Sequence, residues 1–527
     1  MKILSAAEMS ATDKVTADTY GTPFSTLMHN AGNAVARFVL QQFPAARHIV
    51  VLAGTGNNGG DGFVAAQALA HQSLAVEVIL IGDEAKLQGD AAAAYARLAK
   101  RAHTAAGDDE IRALLNSADL VLDAITGTGF KPPLRGQAAT VRELVASTTI
   151  PVIAVDLPTG WDADSTAEKS EEAFRADAVV TFTAPKTAHI FGHLTTPNVF
   201  GPVVVAPIGS PDQAIQTASN LAWAGTSKRI VEAPRPIDSN KGMYGHVLVI
   251  GGAAGKAGAP SMASLSALRT GAGLVTAAVP HSILNTVALI TPELMTLPLQ
   301  QDATGSVARS NLQTKDVWLK KISVLAIGPG MGTQGEAPDF VQRLALDTDI
   351  PLVLDADALN AFKGKADLLG QASRNGERIV ALTPHPGEMA TLLGITTKEV
   401  QADRLNLART FAQKHGVTVV LKGWRTLIAH PDGTVAVNTT GNPSMAKGGS
   451  GDILTGIVAA CLAQKPGDPR RAIEAAVYLH GLAGDFAAHR MDEHTVLATD
   501  TVAHISDAFR YRTADTTGEW ICGLRTT

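Results

Sequence analysis

Cysteine is nearly absent from the 527 residues: Cys461 and Cys522 are the two. They cannot build a disulfide framework, so the chain fits a reducing compartment and a cytoplasmic location is expected. Charge is sparse as well, at 18% Asp, Glu, Lys and Arg against a usual proportion of about 25%. A net charge of −5 gives no electrostatic case for a nucleic-acid partner. No unbroken apolar run approaches the ~18 residues that a membrane span needs, so no membrane partner is expected. The opening Met1-Lys2-Ile3-Leu4-Ser5 carries a charge at once and no apolar h-region, which argues against a signal peptide.

What is present is apolar residues, at 46%, and a length that suggests two or three domains. Short apolar runs at 48–53, 75–81, 119–125, 151–155, 178–183 and 203–206 alternate with Ala-rich helical stretches. Ser25 is placed to cap one helix, with Leu27, Met28, Ala31, Val35, Phe38 and Val39 on its apolar face. Continuous apolar strands between helices argue a parallel sheet covered on both faces. The rhythm breaks at 207–240, where Pro207, Gly209, Pro211, Pro234 and Pro236 fall. A domain boundary is expected near 215–222. A second α/β series follows, with runs at 246–250, 274–279, 324–327, 352–354, 379–382 and 417–421, and helical stretches at 450–463 and 471–488. The tail after about 510 has little periodicity and is expected to be loose.

The stretch Gly54-Thr-Gly-Asn-Asn-Gly-Gly-Asp-Gly62 follows the first apolar run and contains G-x-G-x-x-G. Strand then glycine loop is the dinucleotide-binding fingerprint. Its context fails, because Asp61 would repel a nearby pyrophosphate and no clear ribose-binding acid lies about 20 residues on. Two further loops, Asp123-Ala-Ile-Thr-Gly-Thr-Gly-Phe130 and Asp156-Leu-Pro-Thr-Gly160, also leave apolar runs with an acid. Three such loops meet at the carboxyl edge of a parallel sheet, where open α/β folds place ligands. Asn58, Asp123 and Thr159 offer oxygens suited to a hard cation.

These three loops resemble those of the NAD(P)H-hydrate epimerase family, over roughly residues 1–210. The resemblance implies a Rossmann-like three-layer sandwich over 1–215. It implies a potassium ion on Asn58, Asp123 and Thr159, with substrate touching Asn57, Asn58, Gly59, Gly60, Asp61, Gly127, Thr128, Gly129, Phe130, Lys131, Pro132, Pro133 and Asp156. Thr159 stands where serine is common and keeps the hydroxyl; His29 stands where glutamate is usual. Two roles are open to Asp123, acid–base group and cation ligand, and they conflict if the cation neutralises it.

In the second half, Gly448-Gly-Ser-Gly-Asp452 opens an apolar helix. Exposed N–H groups at a helix N-terminus make an anion site. Ser450 is placed to cap the helix. Asp452 in its first turn can take a proton from a hydroxyl attacking a phosphoryl group. Together with segments 240–252, 258–276, 328–332, 355–360, 383–388 and 421–423, this loop resembles the NAD(P)H-hydrate dehydratase family, over roughly 225–510. The resemblance implies a ribokinase-like three-layer α/β/α domain over 222–515. Ala259, Gly330, His385 and Asp452 are then expected on the hydrate, with Lys422, Gly423, Trp424, Arg425, Thr426 and Gly451 on the adenine nucleotide. Trp424 and Arg425 depart from the family pattern. On its own, His385 between two prolines reads equally well as a structural turn residue.

The implied function is repair of hydrated NADH and NADPH (NADHX and NADPHX). The first domain would interconvert R and S epimers, and the second would dehydrate the S form with ADP and Mg2+. Fusion of the two resembles the bacterial arrangement, which favours ADP over ATP, and family resemblance suggests a homo-oligomer. The competing readings are a ribokinase-like small-molecule kinase, of hydroxymethylpyrimidine or hydroxyethylthiazole type, and a non-catalytic first domain.

Overall fold

The computed structural model describes residues 1–195 and 198–525. It divides into two compact units, Met1–Ser219 with Arg512–Thr527, and Asn220–Tyr511. Among the described residues no helix is long and apolar enough to cross a membrane.

The first unit is built on β1 (His48–Ala53), β2 (Ala75–Leu80), β3 (His103–Thr104), β4 (Leu120–Ala124), β5 (Val152–Val155), β6 (Ala178–Phe182) and β7 (Val203–Ala206). All pair in parallel, in the order β7-β6-β5-β4-β1-β2-β3. Side-chain alternation explains the three layers. Ile49, Val51 and Ala53 of β1 join a core with Leu27, Val35 and Phe38 of the helix Phe24–Gln42. Val50 and Leu52 face the opposite way, into a core with Ile111, Leu115 and Val141. Strand order reverses between β1 and β4, which opens a crevice at their carboxyl ends.

Two expectations fail here. The tail is not loose: Glu519–Cys522 forms an antiparallel strand on β7, and Trp520 is 3% exposed in the same core as Phe38. That segment therefore packs with the first unit, whereas the expected second domain runs to 515. Its partner strand lies some three hundred residues away, so local periodicity carries no trace of it. Ser25 does not cap its helix, which starts at Phe24 with Pro23 as N-cap.

The second unit carries β8 (Leu221–Trp223), β9 (His246–Ile250), β10 (Leu274–Pro280), β11 (Met295–Leu299), β12 (Val324–Ile327), β13 (Leu352–Leu354), β14 (Val380–Leu382), β15 (Thr418–Leu421), β16 (Leu427–Ala429) and β17 (Val435–Val437). Their order is β11-β10-β9-β12-β13-β14-β15-β16-β17-β8. Pairing is parallel except where β16 runs antiparallel to β15 and β17. The helix Ser450–Gln464 approaches the helix Gly258–Thr270 closely at Gly456, where a Cβ would lie 2.0 Å from Ala263 O. Ser450 opens its helix rather than capping it: Gly449, with φ +97°, is the N-cap. That left-handed turn needs glycine, and within it Ser450 N donates to Lys447 O at 3.4 Å.

Candidate active sites

In the first unit the loops after β1, β4 and β5 surround a cavity of about 970 Å³. Close approach of the loops requires small residues. A Cβ on Gly54 would lie 2.1 Å from Ile125 O, and one on Gly59 1.9 Å from Gly54 O. Gly59 and Gly60 therefore pack the turn rather than line the cavity, whereas Asn57, Asn58, Asp61, Thr126 and Gly127 to Phe130 do line it. Lys131, Pro132 and Pro133 are not on its wall; Lys131 reaches Asp162 and Asp164 at 2.7 and 3.0 Å.

The charged centre of this cavity is a buried ion pair. Lys186 Nζ donates to Asp156 Oδ1 and to Thr181 Oγ1, each at 2.8 Å, and Thr181 Oγ1 donates to the same carboxylate oxygen at 2.8 Å. The second oxygen accepts from Thr128 N at 3.2 Å. Burial pushes the Asp156 carboxyl up, but Lys186, His189 and the hydrogen bonds outweigh it and hold it below the ordinary value. His189 is buried and lowered to about 4, first by burial and then by Lys186. Its neutral ring accepts from Lys186 N at Nδ1, so Nε2 carries the proton to Asp156 O at 2.6 Å. Asp156 itself sits at φ +66°, a strained conformation for a non-glycine residue. Two more acids share the cavity. Asp61 is raised well above its ordinary value by burial and then by Asp156 and Asp13. Asp13, raised to about 6 mainly by burial, has a buried Oδ1 with no partner.

Asp123 lies behind this wall and is fully buried. Thr159 Oγ1 donates to one of its oxygens at 2.6 Å and Thr159 N to the other at 2.7 Å. Burial raises it to about 6, against those hydrogen bonds. The Asn58 side-chain oxygen and nitrogen are buried without partners. Asn58 and Asp156 flank Gly127, where a Cβ would lie 3.2 Å from Asn58 Cγ and 3.1 Å from Asp156 Oδ2. The orphaned amide oxygen, the buried carboxylate and the threonine hydroxyl are donors of the kind a hard cation takes.

In the second unit, a cavity of about 370 Å³ is lined by Lys422, Gly423, Trp424, Arg425, Thr426 and Gly451, all six residues expected on the nucleotide. The two departures support each other: the Arg425 guanidinium lies over the Trp424 ring at 4.3 Å and donates to Thr439 O at 2.7 Å. Lys422 Nζ is 3.0 Å from Asp355 Oδ1 and 3.8 Å from Glu388 Oε2. Burial lowers its pKa, but Asp355, Glu388 and Asp452 more than reverse this. The ammonium therefore stays charged on the cavity wall, where a Cβ on Gly451 would lie 3.3 Å from Lys422 Nζ. Asp355 is held by Thr383 Oγ1 and Thr455 Oγ1, both at 2.7 Å. Asp452 is raised to about 6 by burial and by the neighbouring Asp355 and Asp357, with Lys422 opposing.

The residues expected on the hydrate lie outside that cavity. Ala259 and Gly330 meet each other: Gly330 has φ +65°, and its Cβ would lie 3.0 Å from that of Ala259. His385 is the N-cap of the helix Pro386–Leu393, its Nδ1 accepting from Gly387 N and Glu388 N at 3.0 and 3.3 Å. Its structural role is thus real; the ring is exposed, and its Nε2 lies 3.5 Å from Glu388 Oε1.

A family model for NAD(P)H-hydrate dehydratase matches residues 247–507, and one for the N-terminal part of YjeF-related proteins matches 25–188. The bifunctional NAD(P)H-hydrate repair enzyme of Moorella thermoacetica is 38% identical over 95% of this chain and 95% of its own length. That of Escherichia coli is 34% identical over 93% and 90%. The chain belongs to this family. It is an enzyme of two fused catalytic domains, which sets aside the small-molecule kinase and the non-catalytic first domain. The ADP/ATP-dependent NAD(P)H-hydrate dehydratase of Bacillus subtilis, co-crystallised with ATP and Mg2+, aligns over 56% of this chain and 99% of its own at 28% identity and a TM-score of 0.45.

Sequence reasoning missed several residues of these repair-enzyme sites. Lys186 and Asp13 carry no local motif; only the fold brings them beside Asp156. Asp355 begins the Asp-Ala-Asp-Ala-Leu-Asn segment and follows β13 directly, a position at the carboxyl end of a strand that could have marked it. His29 does not line the first cavity and its side chain is exposed.

Proposed function

We propose that the first domain exchanges the R and S hydrates of NADH and NADPH through the Asp156–Lys186 pair, and that the second converts the S hydrate to NAD(P)H at the expense of ADP. The observation that carries the second assignment is Asp452, raised to about 6, beside a cationic Lys422 and an open glycine turn. Asp452 accepts the proton of the C6 hydroxyl as that oxygen attacks the terminal phosphoryl of ADP, and AMP leaves. The N–H groups of Gly449 and Gly451 and the Lys422 ammonium stabilise the growing charge. The ring nitrogen then expels phosphate from C6, and loss of the C5 proton restores the dihydronicotinamide. Among the described residues no cluster of three or more His, Cys, Asp or Glu is arranged to hold a metal. The donor set therefore fits a Mg2+ carried on the nucleotide phosphates rather than in a protein cage, where it would neutralise phosphate charge. Homo-oligomeric assembly remains part of the proposal from family resemblance. Product analysis tests the reading: NADPH, AMP and phosphate should form in equal amounts, and ADP appearing from ATP with no use of ADP would exclude it.

The pH profile follows from the same group. Asp452 must be ionised, so dehydratase kcat/KM is flat above about 6 and falls with one proton below it. At pH 5 about a tenth of the plateau is expected, and a profile flat from pH 5 to 8 would contradict the assignment.

In the first domain, burial and the neighbouring Asp156 and Asp13 raise Asp61 well above its ordinary value, which favours the neutral form that donates to the departing C6 hydroxyl. Water leaves and re-adds to the opposite face of the ring, Asp156 accepts the proton it releases, and solvent exchange returns that proton to Asp61. Asp123 fits better as a potassium ligand with Asn58 and Thr159 than as this acid–base group, since both its oxygens are engaged and neither reaches the cavity. Potassium would hold the loops together from behind the wall. Asp123 ionises above about 6, so K+ in place of choline should raise the melting temperature by a few degrees at pH 8 and have little effect at pH 5. In Asp123→Asn the pH dependence should disappear.

A further inference from the structure

The wall of the second cavity is largely self-satisfied. Asn438 Nδ2 donates to Thr440 O, Thr440 Oγ1 to Tyr478 O, and Thr426 Oγ1 to Gly423 O. Asp485 accepts from Gly441 N and Asn442 Nδ2. Thr439 Oγ1 accepts from Trp223 Nε1. His480 differs from these. It lines the cavity, is 9% exposed, and its Nε2 is buried with no hydrogen-bond partner. Leaving such an atom unpaired is costly, so it marks a place where a ligand completes the wall.

The chemistry of that ligand follows from the ring. Burial and the nearby Lys422 lower His480 to about 4, so it is neutral. His480 lines the cavity together with Ser450 and Gly451, which places the ring by the glycine turn. Nε2 is the ring nitrogen left without a partner. A neutral imidazole nitrogen is either a donor or an acceptor, and a hydroxyl can meet either, since it both donates and accepts. On a nucleotide the hydroxyls are those of the ribose, next to the phosphates.

We infer that His480 Nε2 shares a hydrogen bond with a ribose hydroxyl of the adenine nucleotide and so selects ribo- over deoxyribonucleotides. The inference rests on the nucleotide reading of this cavity and adds a specificity residue to it. Loss of one buried hydrogen bond, with the ring nitrogen stranded, corresponds to about tenfold in affinity.

The test is calorimetric titration of the full chain with ADP, 2′-deoxy-ADP and 3′-deoxy-ADP. Wild-type protein should bind one deoxy analogue about tenfold more weakly than ADP. His480→Phe, which keeps a ring and removes both nitrogens, and His480→Leu should bring that ratio close to one. Equal binding of all three by wild type, or a ratio unchanged in whichever variant folds, would overturn the inference. No binding of ADP by wild type would instead overturn the nucleotide reading.

Discussion

Asp452→Asn should abolish recovery of NAD(P)H while exchange between R and S hydrates continues at its normal rate. The amide keeps the shape of the carboxyl and cannot accept the hydroxyl proton. Removal of a general base lowers turnover by about 10²–10⁴-fold, measured as the rise of dihydronicotinamide absorbance with S hydrate and ADP. Stability separates this from misfolding. The carboxyl is raised from 3.8 to about 6, so above pH 6 its charge is a cost to the folded state. Sign and size follow: at pH 8 the variant should be more stable by an amount on the order of 1–3 kcal/mol. Loss of R/S exchange together with dehydration, in a folded variant, would contradict two separate sites.

Lys186→Met should have the opposite effect on stability and act in the other domain. Lys186 is 1% exposed and is the cation that holds Asp156 ionised. Without it, a buried carboxylate faces Asp61 and Asp13 uncompensated. Breaking a buried pair by removing one partner costs about 3–5 kcal/mol. It should appear as an early first transition in urea, since two domains need not unfold together. Epimerase activity should be lost and dehydratase activity kept. The double variant Asp156→Asn/Lys186→Met removes both charges and should recover much of the stability but none of the epimerase activity. A Lys186→Met protein that still exchanges R and S hydrates would remove the pair from the chemistry.

These two residues mark the limits of what the sequence makes legible. Asp452 follows a run of glycines at the start of an apolar helix, so its N-terminal site can be read locally. The β1 and β4 loops are legible for the same reason: an apolar strand followed by glycine and an acid. The sequence order of those loops, with the right-handed crossing of parallel strands, also foretells that they share one edge. Lys186 lies after β6 in an unremarked Ala-Pro-Lys, and Asp13 lies in the helix Ala6–Tyr20, well before the first strand. Each becomes functional only through the packing of distant segments around Asp156. Asp123 shows the converse. Its motif is clear, but only the structure shows that Thr159 engages both its oxygens. The closing strand Glu519–Cys522 was illegible because its hydrogen-bond partner is β7.

The most direct test gives the protein a mixture of R and S NADPH hydrate with ADP and Mg2+ in potassium buffer. Conversion of the whole mixture to NADPH, with AMP and phosphate formed in step, is the expected result. Recovery that stops when the S form is exhausted would remove the epimerase, and no recovery with either ADP or ATP would contradict the account as a whole.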